Sequence, residues 1–170
     1  MNMLQEHIED DSSEPEEDVP LEQYLTFILA GEEYGVEILK VQEIKGWDKA
    51  TPLPNTPDHI LGVLNLRGAI VPIIDVRKRF HLESVEYTVK TVVIVVKVNQ
   101  DGVERVVGLV VDAVADVHEL NANDIQLVPK SGSAQNEFIR GLASVNDNMI
   151  ILLDTDRLFG LSDPDGDGDH

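Results

Sequence analysis

GVLNLRGAIVPIIDVRKRF, residues 62–80, has a counterpart in GLASVNDNMIILLDTDRLF, residues 141–159. Both segments begin with glycine, end with phenylalanine and place an aspartate at the same offset, Asp75 and Asp154. Each reads as a strand, a tight turn, an aliphatic strand and then an Asp suited to N-cap a short helix that ends in the aromatic. Two copies of one small β unit, 79 positions apart, are the simplest account. The shared order of elements carries more weight than the three identical letters.

Working outward, the other apolar runs are short, rich in Val, Ile and Leu, and punctuated by turn signals, as in all-β proteins of small sheets or barrels. QYLTFILA (23–30) and YGVEI (34–38) are separated by Gly31-Glu32-Glu33 and predict a hairpin. In LKVQEI (39–44) the apolar residues stand at mixed spacing and predict a helical turn or two. TPLPNTPDHIL (51–61) carries three prolines and reads as an extended connector. TVKTVVIVVKV (88–98) is the strongest strand signal, with Val92, Val93, Val95 and Val96 implying burial on both faces; NQDGVE then turns the chain into RVVGLVV (105–111). DAVADVHEL predicts a further short strand, and NANDIQLVPKSGSAQNE is mostly loop. Pro72, which cannot donate to a ladder, predicts that AIVPII lies at a sheet edge or bulges.

Arg67 breaks an otherwise aliphatic stretch, and an unpaired buried guanidinium would cost several kcal/mol. It must reach water at a turn or meet a carboxylate. The second copy has Asn146-Asp147-Asn148 at this place, so the unit needs a turn there but no arginine. Gly68 suits a tight Arg-Gly turn. Two readings of Arg67 stand side by side: a snorkelling or barrel-fastening side chain, and a residue held at a hairpin tip for a partner. Glu43, in KVQEIKG, is either a solvent-facing charge on a helix or the partner of Arg67 in a charge-assisted pair.

Composition narrows the function. The 170 residues are 42% hydrophobic, enough for a real core. The formal charge of −19 disfavours nucleic acid and anionic lipid surfaces. Twelve of the 32 acids fall in residues 1–20 and 162–170, which contain no Lys or Arg; both segments read as solvated acidic tails. DPDGDG (163–168) matches only the first half of a calcium loop. No basic-apolar leader and no apolar stretch near the ~20 residues of a membrane span is present, so a cytoplasmic protein is expected. Zero cysteines exclude disulfides, thiol catalysis and Cys-ligated metal. Neither phosphate-binding loops, nucleophile elbows nor metal-binding helix motifs occur, the five histidines are dispersed, and no metal or cofactor is expected.

EEYGVEILKVQEIKG, TPLPNTPDHILGVLNLRGAIVPIIDVRKRF, TVVIVV and RVVGLVVDAVADV closely resemble the CheW-type coupling proteins of bacterial chemotaxis, over essentially all of residues 21–161. Trp47 stands where such proteins often carry tyrosine. The resemblance implies an all-β fold with short helices: two fused, intertwined SH3-like five-stranded β-barrels, here about 21–82 and 83–161. It also implies a non-catalytic adaptor joining the cytoplasmic tip of methyl-accepting chemoreceptors to the regulatory domain of the histidine kinase CheA. Such an adaptor would sit at receptor arrays on the inner face of the membrane, in a flagellar or alternatively a pilus or other chemosensory pathway. Carried over residue by residue, a receptor-facing groove would be lined by Val41, Glu43, Gly62, Arg67, Val92, Val93, Val114 and Val117, an apolar slot for an amphipathic helix with charges fixing its register. Gly62 would be needed for close approach of the partner; the kinase-binding residues are left open.

Overall fold

The computed structural model describes residues 21–128 and 137–160; both acidic tails, and residues 129–136 of the expected long loop, lie outside them. In chain order the strands are β1 (Leu21–Leu29), β2 (Glu32–Glu37), β3 (Val41–Gly46), β4 (Ile60–Leu66), β5 (Ala69–Asp75), β6 (Val92–Gln100), β7 (Val103–Val111), β8 (Ala113–Asn121), β9 (Gln126–Leu127), β10 (Ile139–Val145) and β11 (Asn148–Leu153). Two short helices, α1 (Val76–Arg79) and α2 (Thr155–Gly160), follow β5 and β11.

The 79-residue repeat is reproduced residue by residue. β4 and β10 have the same alternation of buried and exposed positions. Both hairpins carry a register shift at the same place, Ile60/Gly62 and Ile139/Gly141. Asp75 N donates to His59 O and Asp154 N to Phe138 O, each at 2.8 Å. Four two-residue hairpin loops have positive φ at both residues: Ala30-Gly31, Arg67-Gly68, Asp101-Gly102 and Asn146-Asp147. That is the turn whose twist matches a right-handed β ribbon. Asn65 Oδ1 and Asn99 Oδ1 each accept the amide of the glycine three residues on, Gly68 and Gly102, at 2.8 and 3.0 Å.

The two sheets do not follow the expected division near residue 82. One has the order β8-β1-β2-β11-β10-β9 and the other β3-β6-β7-β5-β4. Each repeat therefore gives its first hairpin to one barrel and its later strands to the other. We call these barrel A, containing β1, β2 and β8–β11, and barrel B, containing β3–β7. The crossings lie at Ile38–Lys40, a single 3-10 turn, and at Asp112.

This exchange explains the three hydrophobic clusters. Leu64, Val71, Ile73, Val93, Val95 and Val110 fill barrel B; Tyr24, Leu120, Ala143, Ile150 and Leu152 fill barrel A. The largest cluster is the seam between them, drawing Leu25, Phe27 and Val36 from one sheet and Ile94, Val96, Val107 and Leu109 from the other. Alternation along β6 thus sends Val93 and Val95 into a barrel and Ile94 and Val96 into the seam, so the valine run is buried on both faces, as expected.

Two local expectations are corrected. Residues 41–46 form strand β3 and only 38–40 are helical. A bulge between Val41 and Glu43 puts Val41 and Ile44 on one face at a spacing of three, which imitates a helix. β5 is an interior strand, flanked by β4 and β7; β7 pairs with it only from Ile73 onward, so Pro72 lies just before the second neighbour begins.

At one crossing, Asp112 accepts from Arg77 Nε (2.8 Å), Arg77 Nη2 (2.6 Å) and Ala30 N (3.0 Å). Arg77's hydrogen bonds are the main reason its carboxyl is held below the usual aspartate range, against the opposing effect of burial. With a folded pKa below the unfolded value of ~3.9, the stabilisation is complete above that value and is lost as pH falls through the folded one. Denaturation midpoints followed from pH 6 to pH 3 should therefore fall more steeply for the native chain than for Asp112→Asn. Parallel curves would contradict this role.

Candidate partner-binding surface

In barrel B, β3 and β4 are the two edges of the sheet. The barrel is closed where Thr51, beyond β3, exchanges two 2.9 Å backbone hydrogen bonds with Val63 of β4. Gly62 makes this possible: its φ is +143° and it is buried, and a Cβ there would lie 2.0 Å from Thr51 O. Gly141, its repeat equivalent, similarly packs on Gln126 O in barrel A. Gly62 is therefore a closure residue of the barrel and not a groove-lining one, correcting the expectation that a partner approaches it.

Arg67 sits at the apex of the β4–β5 hairpin with φ +52°. Its guanidinium is ion-paired with Glu43 of β3, so the pair spans the two sheet edges at the barrel mouth. The side chain of Arg67 is 74% exposed and that of Glu43 23%. Arg67 thus both reaches water and meets a carboxylate. An exposed pair of this kind contributes about 0–1 kcal/mol to the fold, so the folded chain spends little on keeping the guanidinium there. Ile70, on the adjoining strand, and Ile44, on the edge strand, are exposed apolar side chains near this corner in the ladder.

Four of the expected valines share the seam-side faces of the sheets. Val41 pairs with Val96 and Val114 with Phe27, while Val117 pairs with Leu25; Val41, Val92 and Val114 all pack against the seam cluster. Val117 is 46% exposed on β8, the edge strand of barrel A. Val93 is a correction: it is fully buried inside barrel B and cannot meet a partner. Glu43 lies on the opposite face of β3 from Val41, because it pairs with Val95, a barrel-interior residue. The eight expected residues are thus not one lining but two patches on either side of β3, plus two internal residues.

Sequence reasoning missed other groups here. Ile44 is 43% exposed on the same face of β3 as Val41, hidden by the helical reading of that stretch. A cavity of about 460 Å³ opens between β1, β8 and the turn leading into β3, lined by Leu21, Gln23, Ile38, Leu39 and Glu119 with Glu22 and Glu37. Gln23 pairs with Glu119 two positions beyond the Leu25–Val117 pair, so this concavity prolongs the seam-side face of β8. Leu39 is 85% exposed. Among the described residues, no three His, Asp or Glu side chains are grouped to hold a metal ion, and no helix is long and apolar enough to cross a membrane.

Comparison with known proteins gives a consistent result. The family model described as CheW-like domain matches residues 23–162. The chemotaxis protein CheW of Klebsiella aerogenes is 48% identical over 139 residues, covering 81% of each chain. The chemotaxis protein CheW of Rhizobium meliloti is 41% identical over 136 residues, covering 79% of this chain and 85% of the relative. Among solved structures, the scaffolding protein TtCheW from Thermoanaerobacter tengcongensis superposes with a TM-score of 0.75 at 34% identity, covering 84% of this chain and 95% of that one.

Proposed function

This chain belongs to the CheW family of chemotaxis coupling proteins, and on that premise we propose that the seam-side groove receives an amphipathic helix from the cytoplasmic tip of a methyl-accepting chemoreceptor. The chain is a non-catalytic adaptor between chemoreceptors and the kinase CheA. The observation that carries the proposed site is the set of apolar residues left on the two edge strands facing the seam: Val41 and Ile44 on β3, and Val114 and Val117 on β8. A helix lying over them would cover apolar surface from both barrels at once. Arg67, with Glu43 across the edge of β3, supplies the charged contact that fixes register. No covalent step is required, since coupling is a matter of which surfaces are held together. The regulatory domain of CheA is the kinase element we assign as partner, with the assembly at receptor arrays on the inner face of the membrane.

Val117→Ala tests the groove with little risk to the fold, because the side chain is half exposed. Removing two methyl groups from an apolar contact should weaken binding of a receptor cytoplasmic fragment about fivefold, measured by titration calorimetry. CheA binding by the same variant should be unchanged. Native affinity for the receptor fragment would remove Val117 from the site.

A further inference from the structure

The two crossings between barrels carry ion pairs that are related by the repeat but reversed in sign. Lys40 is the last residue before β3 and Asp112 the last before β8, the two strands that begin immediately after a crossing. Two positions beyond the capping aspartates Asp75 and Asp154 stand Arg77 and Asp156, equivalent by the 79-residue offset. Asp112 of the second repeat pairs with Arg77 of the first, at 2.6 Å for Nη2–Oδ2. Lys40 of the first repeat pairs with Asp156 of the second, Nζ–Oδ1 3.5 Å. Each carboxylate also accepts a backbone amide from the hairpin beside it, Ala30 N at 3.0 Å and Asn99 N at 2.8 Å. The positions are equivalent, although Arg77–Asp112 is a bidentate pair and Lys40–Asp156 a single, more exposed contact; in one pair the helix supplies the cation and in the other the anion.

We propose that this reversal is a pairing code: it makes each repeat complementary to the other repeat and repulsive to a copy of itself. At these four paired positions the first repeat carries the cations, Lys40 and Arg77, and the second the anions, Asp112 and Asp156. A fold built from two similar units that exchange strands has an obvious competitor, in which like repeats of two chains exchange with each other. A first-with-first assembly would set Lys40 against Arg77, and a second-with-second assembly would set Asp112 against Asp156. Only first-with-second satisfies both contacts, and one chain contains one of each. The code therefore steers the exchange to completion within a chain by penalising the wrong partner as well as rewarding the right one.

The 170-residue chain allows a direct test, because Lys40→Asp with Arg77→Asp gives the first repeat the signs of the second and recreates like-with-like contacts inside one molecule. At low ionic strength, Lys40→Ala/Arg77→Ala should lower Tm by a few degrees and Lys40→Asp/Arg77→Asp by about twice as much. Adding Asp112→Arg and Asp156→Lys to the latter should raise Tm again, and 0.5 M NaCl should narrow the gap between the alanine and aspartate variants. The code is overturned if those two variants melt together at low salt. It is equally overturned if the fourfold variant loses as much as Lys40→Asp/Arg77→Asp and Asp112→Arg/Asp156→Lys combined.

Discussion

Gly62→Ala is expected to cost about 3–5 kcal/mol of stability, the range reached when backbone strain and a buried clash act together. The added Cβ would fall 2.0 Å from Thr51 O and 2.9 Å from Pro52 Cα, both backbone atoms that cannot step aside without opening the Thr51–Val63 bridge. The φ of +143° is also one that side-chain-bearing residues rarely adopt. Gly68→Ala is the control: its φ is +89° but a Cβ there meets nothing within 4 Å, so only the strain of about 1 kcal/mol is incurred. Urea denaturation of the two variants separates the cases. A native midpoint for Gly62→Ala would show that barrel B does not close through Thr51. Bulky substitutions at Gly62 should abolish partner recruitment too, but through loss of the barrel and not through an obstructed groove.

Arg67→Ala should do the reverse, sparing the fold and removing the partner. The side chain is three-quarters exposed and its one ion pair contributes about 0–1 kcal/mol. Replacing a residue of positive φ with alanine neither adds nor relieves backbone strain, so Tm should move by no more than a few degrees. In the proposed complex the same guanidinium would be desolvated with Glu43 beside it, and truncating such a charge typically costs 2 kcal/mol or more, about thirtyfold in affinity. Affinity of the receptor fragment should fall by that factor, and Glu43→Ala combined with Arg67→Ala should lose less than the sum of the single losses. Additive losses would separate the two residues in binding. A large Tm drop would return Arg67 to a purely structural role.

Much of the architecture was legible because local chemistry repeats with the chain. Turn residues, glycines and the capping aspartates recur at one offset, and each copy of the segment is a hairpin followed by a short helix. Which strands cross between the barrels is not legible in the residues. Two similar units present similar edges, and which copy of an edge is chosen depends on contacts such as Arg77–Asp112 that lie 35 residues apart. The sequence of β3 imitates a helix because its bulge gives Val41 and Ile44 the spacing of a helix face. Pro72 suggested an edge, yet half of β5 has a second neighbour and half does not.

The same limits shaped the candidate site. The Glu43–Arg67 pair could be anticipated from charge alone in an aliphatic setting, and it forms. Val93 enters the groove only through the family resemblance; the valine run itself indicates burial but conceals which members face a barrel and which the seam. The resemblance places Gly62 in the groove, and a sequence cannot show that its neighbour is Thr51. The extension of the groove to Leu21 and Leu39 depends on β1, β8 and the 38–40 turn converging, which no local pattern encodes.

The central claim, that a helix settles on the seam-side faces of the two edge strands, is tested most directly by methyl NMR of the Val, Leu and Ile side chains during titration with a receptor cytoplasmic-tip fragment. Val41, Ile44, Val114 and Val117 should shift strongly, while Leu64, Val93 and Val95 inside barrel B stay near their free positions. Shifts confined to other surfaces, with those four methyl sets unmoved at saturation, would contradict it.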